Sequence, residues 1–162
     1  MSMYKTKIDI PEGDREKLVG LLNARLADLI DLQTQMKQAH WNVKGPDFIA
    51  LHELFDEITT SVREASDTVA ERATALGGIA YGTTRIAAER SALPEYPTSI
   101  ADGSAHVEAV AKALGTAGNH IRKAIAESSD IGDAATEDVF TEIARDLDEK
   151  LYFVEAHLQG KR

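Results

Sequence analysis

Apolar residues recur along this chain at the three- and four-residue steps of a helix, and no stretch shows the alternation of a half-buried strand. Leu18, Leu22, Leu26, Leu29, Met36 and His40 follow one helical line, so a first helix is predicted from near Asp14, after the breaker Pro11-Glu12-Gly13, to about Val43. Lys44-Gly45-Pro46-Asp47 stops it, and Asp47 stands where it can cap a second helix. That helix carries Leu51, Phe55, Ile58, Val62, Ala65, Val69 and Leu76 and ends at Gly77-Gly78. A connection of roughly 25 residues follows, too long for a plain loop in a compact domain. Within it TTRIAAER predicts a short crossing helix. A third long helix is expected from Asp102 or Ser104, on the line Val107, Val110, Leu114, Ala117, Ile121 and Ile125, with a break at Ser128-Ser129-Asp130-Ile131-Gly132. The last runs from about Asp133 to Leu158 and is expected to bury Phe140, Ile143, Leu147, Leu151, Val154 and Leu158.

Four long amphipathic helices with one long crossover between the second and third describe an all-α, ferritin-like four-helix bundle, here with a short extra helix in the crossover. The 162 residues suit a single domain over 1–162, with 1–13 as a short N-terminal extension. Cysteine is absent, which excludes disulfides, thiolate metal sites and thiol nucleophiles. The opening MSMYKTKIDIPEGD is charged where a signal peptide would be apolar, and no run is long enough to span a membrane. A soluble, cytoplasmic protein is expected. Its net charge of −9 repels phosphate backbones, and the basic residues near the ends, Lys5, Lys7, Lys161 and Arg162, are too few for a polybasic arm.

The candidate chemistry lies on the second helix. On a wheel of about 100° per residue, His52, Asp56, Asp67 and Glu71 share one stripe, centred about 150° from the apolar line. They therefore point away from the helix's own bundle. A diiron site inside a bundle needs the opposite, and usually a Glu-x-x-His motif; none occurs. His52 with Asp56 and Asp67 with Glu71 are i,i+4 pairs, but His52 and Asp67 lie roughly 22 Å apart along the axis, so one ion cannot reach both. The two pairs share a midpoint near Ser61 and Val62. A two-fold axis there would set His52 and Asp56 of one chain against Asp67 and Glu71 of another, with His40 within reach of the same place. Nitrogen and oxygen donors suit Fe(II), Mn(II) or Zn(II). The competing reading of such a stripe is solvated surface charge.

The segments KQAHWNVKGPDFIALHELFDE, DTVAERATALGG with the GTT that follows, and RDLDEKLYFVEAHL resemble the Dps family (DNA-binding proteins from starved cells), the dodecameric mini-ferritins, and the likeness runs over nearly the whole chain. The family's ferroxidase spacing is matched by His40, His52, Asp56, Asp67 and Glu71. The resemblance implies a hollow homo-dodecamer built from isologous dimers. In it Fe(II) is oxidised between two-fold-related subunits, preferably by hydrogen peroxide, and stored as ferric mineral, protecting against oxidative damage. It implies Asp67 and Glu71 as primary ligands with His40 of the other subunit, and His52 and Asp56 at a weaker second position. Trp41 resembles the family's tryptophan beside the centre, a candidate electron donor or simply a filler of the dimer interface. Zn(II) or Mn(II) are expected substitutes.

Three-fold pores in the family are lined by carboxylates near the start of the last helix; Asp130, Asp133, Glu137 and Asp138 are the local candidates, with Asp138 fitting best and Ala134 standing where some members have Asp. Firm DNA binders of the family use lysine-rich tails. The two lysines here, with Asp9 close behind, predict weak or absent DNA binding rather than a nucleoid-associated, DNA-compacting role. His106, His120 and His157 match no ligand position and are expected at the surface.

Overall fold

Pro11 sets the first boundary. Its carbonyl accepts from the amides of Asp14 and Arg15, both at 3.0 Å, and α1 (Glu12–Asn42) runs from there. The computed structural model describes residues 3–160 and holds α2 (Phe48–Ala75), α3 (Thr84–Arg90), α4 (Gly103–Ile131) and α5 (Ala134–Gln159), with no strand among the described residues. The short helix α3 falls in the crossover, at TTRIAAER. The long helices form two hairpins, α1 on α2 and α4 on α5, joined across α1 and α4. Their predicted apolar lines meet in one core, in which Leu22, Leu29, Phe55, Ile58, Leu114 and Phe140 are fully buried or within one per cent of it. Truncating Phe55 or Phe140 to Ala removes burial worth about 3–5 kcal/mol each.

Helix ends differ from the sequence reading in two places. Asp47 precedes α2, but at φ −93°, ψ 17° its backbone lies outside the extended N-cap conformation and its side chain accepts no bond from the first amides. The turn is closed by backbone instead: Phe48 N–H donates to Gly45 at 3.1 Å, with Gly45 at φ 117°. The run Ser128-Ser129 does not break α4. Ser128 Oγ donates back to the Ala124 carbonyl at 2.6 Å, and the helix continues to Gly132 at φ 90°. Asp102 and Asp133 do cap, accepting from Ala105 N–H at 3.0 Å and Ala135 N–H at 3.2 Å.

Polar groups on α1 fix the crossover's path. Asn23 donates to the Ile79 carbonyl at 2.9 Å and accepts from Tyr81 N–H at 2.7 Å. Buried Asp28 accepts from Ala92 N–H at 2.8 Å, and Gln35 donates to the Pro94 carbonyl at 3.0 Å. Each gives a part-buried crossover amide or carbonyl its partner. The N-terminal extension is tied down as well. Tyr4 N–H donates to Gly77 at 2.7 Å, and Arg15 Nη1 donates to the Leu76 carbonyl at 2.8 Å. At Gly77 φ is 88° and an added Cβ would lie 2.5 Å from the Tyr4 carbonyl oxygen, so only glycine fits.

Two of the three unassigned histidines are not surface residues. His106 is 1% exposed and bonds to Tyr96, and half-buried His120 sits 2.9 Å from Asp28. The partner of His106 lies in the crossover 10 residues before it, and that of His120 lies on α1, 92 residues away. His157 is exposed as expected.

Candidate metal centre

His40 ends α1 and His52 starts α2, and the loop between them is pinned where Lys44 N–H donates to the Ala101 carbonyl at 3.0 Å. The two imidazoles stack with centroids 3.7 Å apart and an interplanar angle of 22°. Each ring is held by the other residue's backbone: His40 Nδ1 lies 2.7 Å from the His52 carbonyl, and His52 Nδ1 lies 2.9 Å from the His40 carbonyl. A carbonyl only accepts, so both Nδ1 atoms carry hydrogen. Both Nε2 lone pairs are then free in the neutral rings. A carbonyl behind the ring fixes a histidine's tautomer and orientation for a cation in front of it.

Asp56 lies one turn beyond His52, and Lys37 from α1 forms an ion pair with it. The Lys37 hydrogen bond is the main cause holding the Asp56 carboxyl below its usual range; slight burial opposes it. Lys37 was not a sequence candidate. Its only signal is position, one turn before His40 on the same face of α1. His40, His52 and Asp56 border an open groove of about 510 Å³ with Ile49 and Glu57.

Asp67 and Glu71 are exposed, and their carboxylates take part in no hydrogen bond or ion pair among the described residues. Asp67 borders a second groove of about 610 Å³ beside Leu26, Ile30 and Gly82. Among the described residues, no three His, Asp or Glu side chains of one chain converge as a metal site. The structure brings His40, His52 and Asp56 together and leaves Asp67 and Glu71 at the far end of the same helix. Around the first group the chain exposes Trp41 (65%), Ile49 (60%) and Phe48 (41%), an apolar patch of the kind that marks protein interfaces.

Of the pore candidates, Asp130 and Asp138 are exposed and Glu137 is half-buried. Asp133 is different. It is 5% exposed, caps α5 and accepts from Arg72 Nη2 at 2.6 Å and from the Thr136 hydroxyl. Burial works against its ionisation, but Thr136 and Arg72 outweigh it and hold the carboxyl below its ordinary value. A carboxylate so engaged is a structural cap, with three of its roughly four acceptor sites already taken and its charge paired with Arg72.

The ferritin-like domain profile matches residues 19–162. A DNA protection during starvation protein from Agrobacterium fabrum is 45% identical over 161 residues, which cover 99% of either chain. This chain belongs to the Dps family. A Mycolicibacterium smegmatis protein of the same description is 32% identical over 140 residues, 86% of this chain and 76% of that one. Among solved Dps structures, DpsA14 from Streptomyces coelicolor superposes with a TM-score of 0.92 at 38% identity, covering 98% of this chain and 94% of the other. The ferritin-like, all-α architecture expected from the helix pattern is therefore the fold of this Dps chain. No helix among the described residues is long and apolar enough to cross a membrane.

Proposed function

We propose that this Dps protein is a ferroxidase and iron store. It oxidises Fe(II), preferably with hydrogen peroxide, at sites shared by two-fold-related subunits of a dodecamer, and keeps the ferric product as mineral. The observation that carries the reading is the split of the donors: two oriented imidazoles and Asp56 at one end of α2 and, among the described residues, two unpartnered carboxylates at the other and no complete site in one chain. An antiparallel α2 pair about the Ser61–Val62 midpoint brings the unlike halves together twice. The exposed Trp41 and Ile49 would then be covered by the dimer.

The roles follow from the donors. Asp67 and Glu71 supply the negative charge that favours Fe(III) over Fe(II), so the ligands help drive oxidation as well as binding. His40 of the facing subunit adds a neutral nitrogen. His52 and Asp56 serve a second, weaker position, because Lys37 competes with a cation for Asp56. The same nitrogen and oxygen donors accept Zn(II) or Mn(II). Asp130 and Asp138 are the carboxylates proposed to draw cations toward the cavity.

Anaerobic Fe(II) loading followed by peroxide, read by ferric absorbance, tests the proposal in wild type and in Asp67→Ala/Glu71→Ala. Equal rates would refute it. A stable dimer on sizing would refute the dodecamer.

Nucleoid compaction is disfavoured by the docked N-terminal extension. Lys5 and Lys7 lie between the Tyr4 and Arg15 anchors, in a strap bonded to the end of α2, not on a free arm. Lys161 and Arg162 lie outside the described residues. A plasmid gel shift at roughly physiological salt should show no retardation. The cytoplasm, with access to free Fe(II), is the proposed location.

A further inference from the structure

Tyr96 and His106 form a buried acid–base pair that plays no part in the ligand set. Tyr96, in the crossover, is 7% exposed, and His106, in the first turn of α4, is 1% exposed. The phenol oxygen lies 2.6 Å from His106 Nδ1, while Nε2 has no hydrogen-bond partner among the described residues. Burial is the main cause lowering the imidazole's pKa, against the opposing pull of Asp102 and the Ile100 backbone, so the ring is neutral near pH 7. Burial also pushes the phenol well above its usual range. With both groups neutral and no other acceptor offered to the phenol, its O–H donates and Nδ1 accepts.

The pair also has a route toward the metal centre. Trp41 and Tyr96 line one groove of about 620 Å³, and Trp41 directly follows His40. Gln35 holds the crossover at this point through the Pro94 carbonyl, so Tyr96 is fixed beside α1. None of the other three tyrosines, Tyr4, Tyr81 and Tyr152, is buried.

We propose that Tyr96 is a proton-coupled one-electron donor to the oxidation centre, reached through Trp41, with His106 as the base that receives the phenol proton. The inference rests on the ferroxidase reading for its physiological oxidant. Hydrogen peroxide needs two electrons and two protons to become two waters, and a single bound Fe(II) supplies one electron. The second leaves Tyr96 by way of Trp41 while the phenol proton crosses to His106 Nδ1, and the two protons that complete water come from solvent. The O–O bond breaks, and the products are Fe(III), two waters, a neutral tyrosyl radical and a protonated His106. A further Fe(II) at the centre returns an electron, and the proton moves back from His106 to the phenol. The pair thereby closes the two-electron balance that would otherwise release hydroxyl radical. His106 is essential to this step, because a phenol that burial keeps protonated gives up an electron readily only when a base takes its proton at the same time.

Two arms test this on the assembled protein. In the iron-free arm, flash photolysis with a ruthenium polypyridyl and persulfate oxidises Trp41, the chain's one tryptophan, by electron transfer through the dimer surface. The wild-type tryptophanyl spectrum should convert to a tyrosyl spectrum with a solvent deuterium isotope effect. In Tyr96→Phe the tryptophanyl signal should persist, and in His106→Gln conversion should slow by roughly 100-fold, the scale of losing a positioned base. In the second arm, Fe(II) at one ion per site is mixed with peroxide, and one sample is read by freeze-quench electron paramagnetic resonance, ferric absorbance and spin-trapped hydroxyl radical. The tyrosyl signal should vanish and trapped hydroxyl radical should rise in Tyr96→Phe. An undiminished tyrosyl yield in Tyr96→Phe, in either arm, overturns the proposal. So does a His106→Gln variant with unaltered conversion rate and isotope effect, the result expected if the pair only holds the crossover in place. Absence of ferric product in wild type refutes the ferroxidase reading instead, and the iron-free arm still decides the role of Tyr96.

Discussion

The two ends of α2 carry complementary halves of the proposed centre and are built in opposite ways. At the first end, His52 is stacked on His40, each ring is held by the other's backbone, and Asp56 is paired with Lys37. At the second, Asp67 and Glu71 stand exposed, one turn apart, in no ion pair among the described residues. The bareness of the second end is maintained. Arg72, next to Glu71, is an available cation, but it is drawn inward by Asp133 and Thr136. One chain thus orients its nitrogen donors in advance and leaves its carboxylates without partners among the described residues; in the proposed dimer a second chain brings the two together. Two like charges one turn apart are mildly unfavourable on an isolated helix, which is tolerable if a cation later binds there.

The sharpest way to break this comparison is to disable each end separately. His52→Ala/Asp56→Ala and Asp67→Ala/Glu71→Ala should each lose at least about 100-fold in peroxide-dependent Fe(II) oxidation, since each removes ligands rather than their supports. Co-refolding the two variants in equal amounts should restore about a quarter of wild-type activity, because half of random isologous pairs are mixed and each mixed pair has one intact site of two. Activity that stays at the level of the separate variants would show that the halves do not meet across chains.

The contrast was partly legible in the sequence. The apolar lines placed both hairpins, and the offset of the α2 stripe put its ligands outside the bundle, where exposure of Asp67 and Glu71 agrees with the wheel. Such features depend on spacing within one helix. What spacing could not convey are contacts between different elements of the chain. Lys37 reaches Asp56, Arg72 reaches Asp133, and Tyr96 reaches His106 only because loops return them to a particular place. Asn23, Asp28 and Gln35 read as polar interruptions of α1, yet they carry the crossover; a polar side chain in a helix does not reveal which distant backbone group it will satisfy. Asp133 misled for the same reason. Its position suits a pore carboxylate, and the partner that engages it is 61 residues away.

A smaller effect tests how the second end stays bare. Asp133→Asn should destabilise the fold by roughly 1–2 kcal/mol at neutral pH, because it leaves Arg72 without its charged partner in a part-buried site. The folded-state pKa of Asp133 is depressed, so its stabilisation is present above the unfolded value of about 3.9 and disappears as pH falls through the folded value. Denaturant midpoints of wild type and variant should differ by a constant amount above about pH 5 and converge in acid below about pH 4. Curves that stay parallel in acid would mean the carboxylate charge contributes nothing to the fold.

Lys37→Gln probes the first end, and its two readouts should separate. Without the ammonium, Asp56 no longer has to release a partner before it takes a cation. Anaerobic calorimetric titration should then find the weaker of the two positions bound about ten-fold more tightly, the scale of one pKa unit of charge interaction. Stability should scarcely change. The pair is only half-buried, with the Lys37 and Asp56 side chains 31% and 50% accessible, so its loss should cost under about 0.5 kcal/mol in thermal or denaturant unfolding. A large affinity change with almost no stability change would identify Lys37 as a competitor for the site rather than a brace for the fold. If stability fell by more than the affinity rose, the two ends of α2 would differ only in how firmly they are built, and the first would have to be read as scaffold.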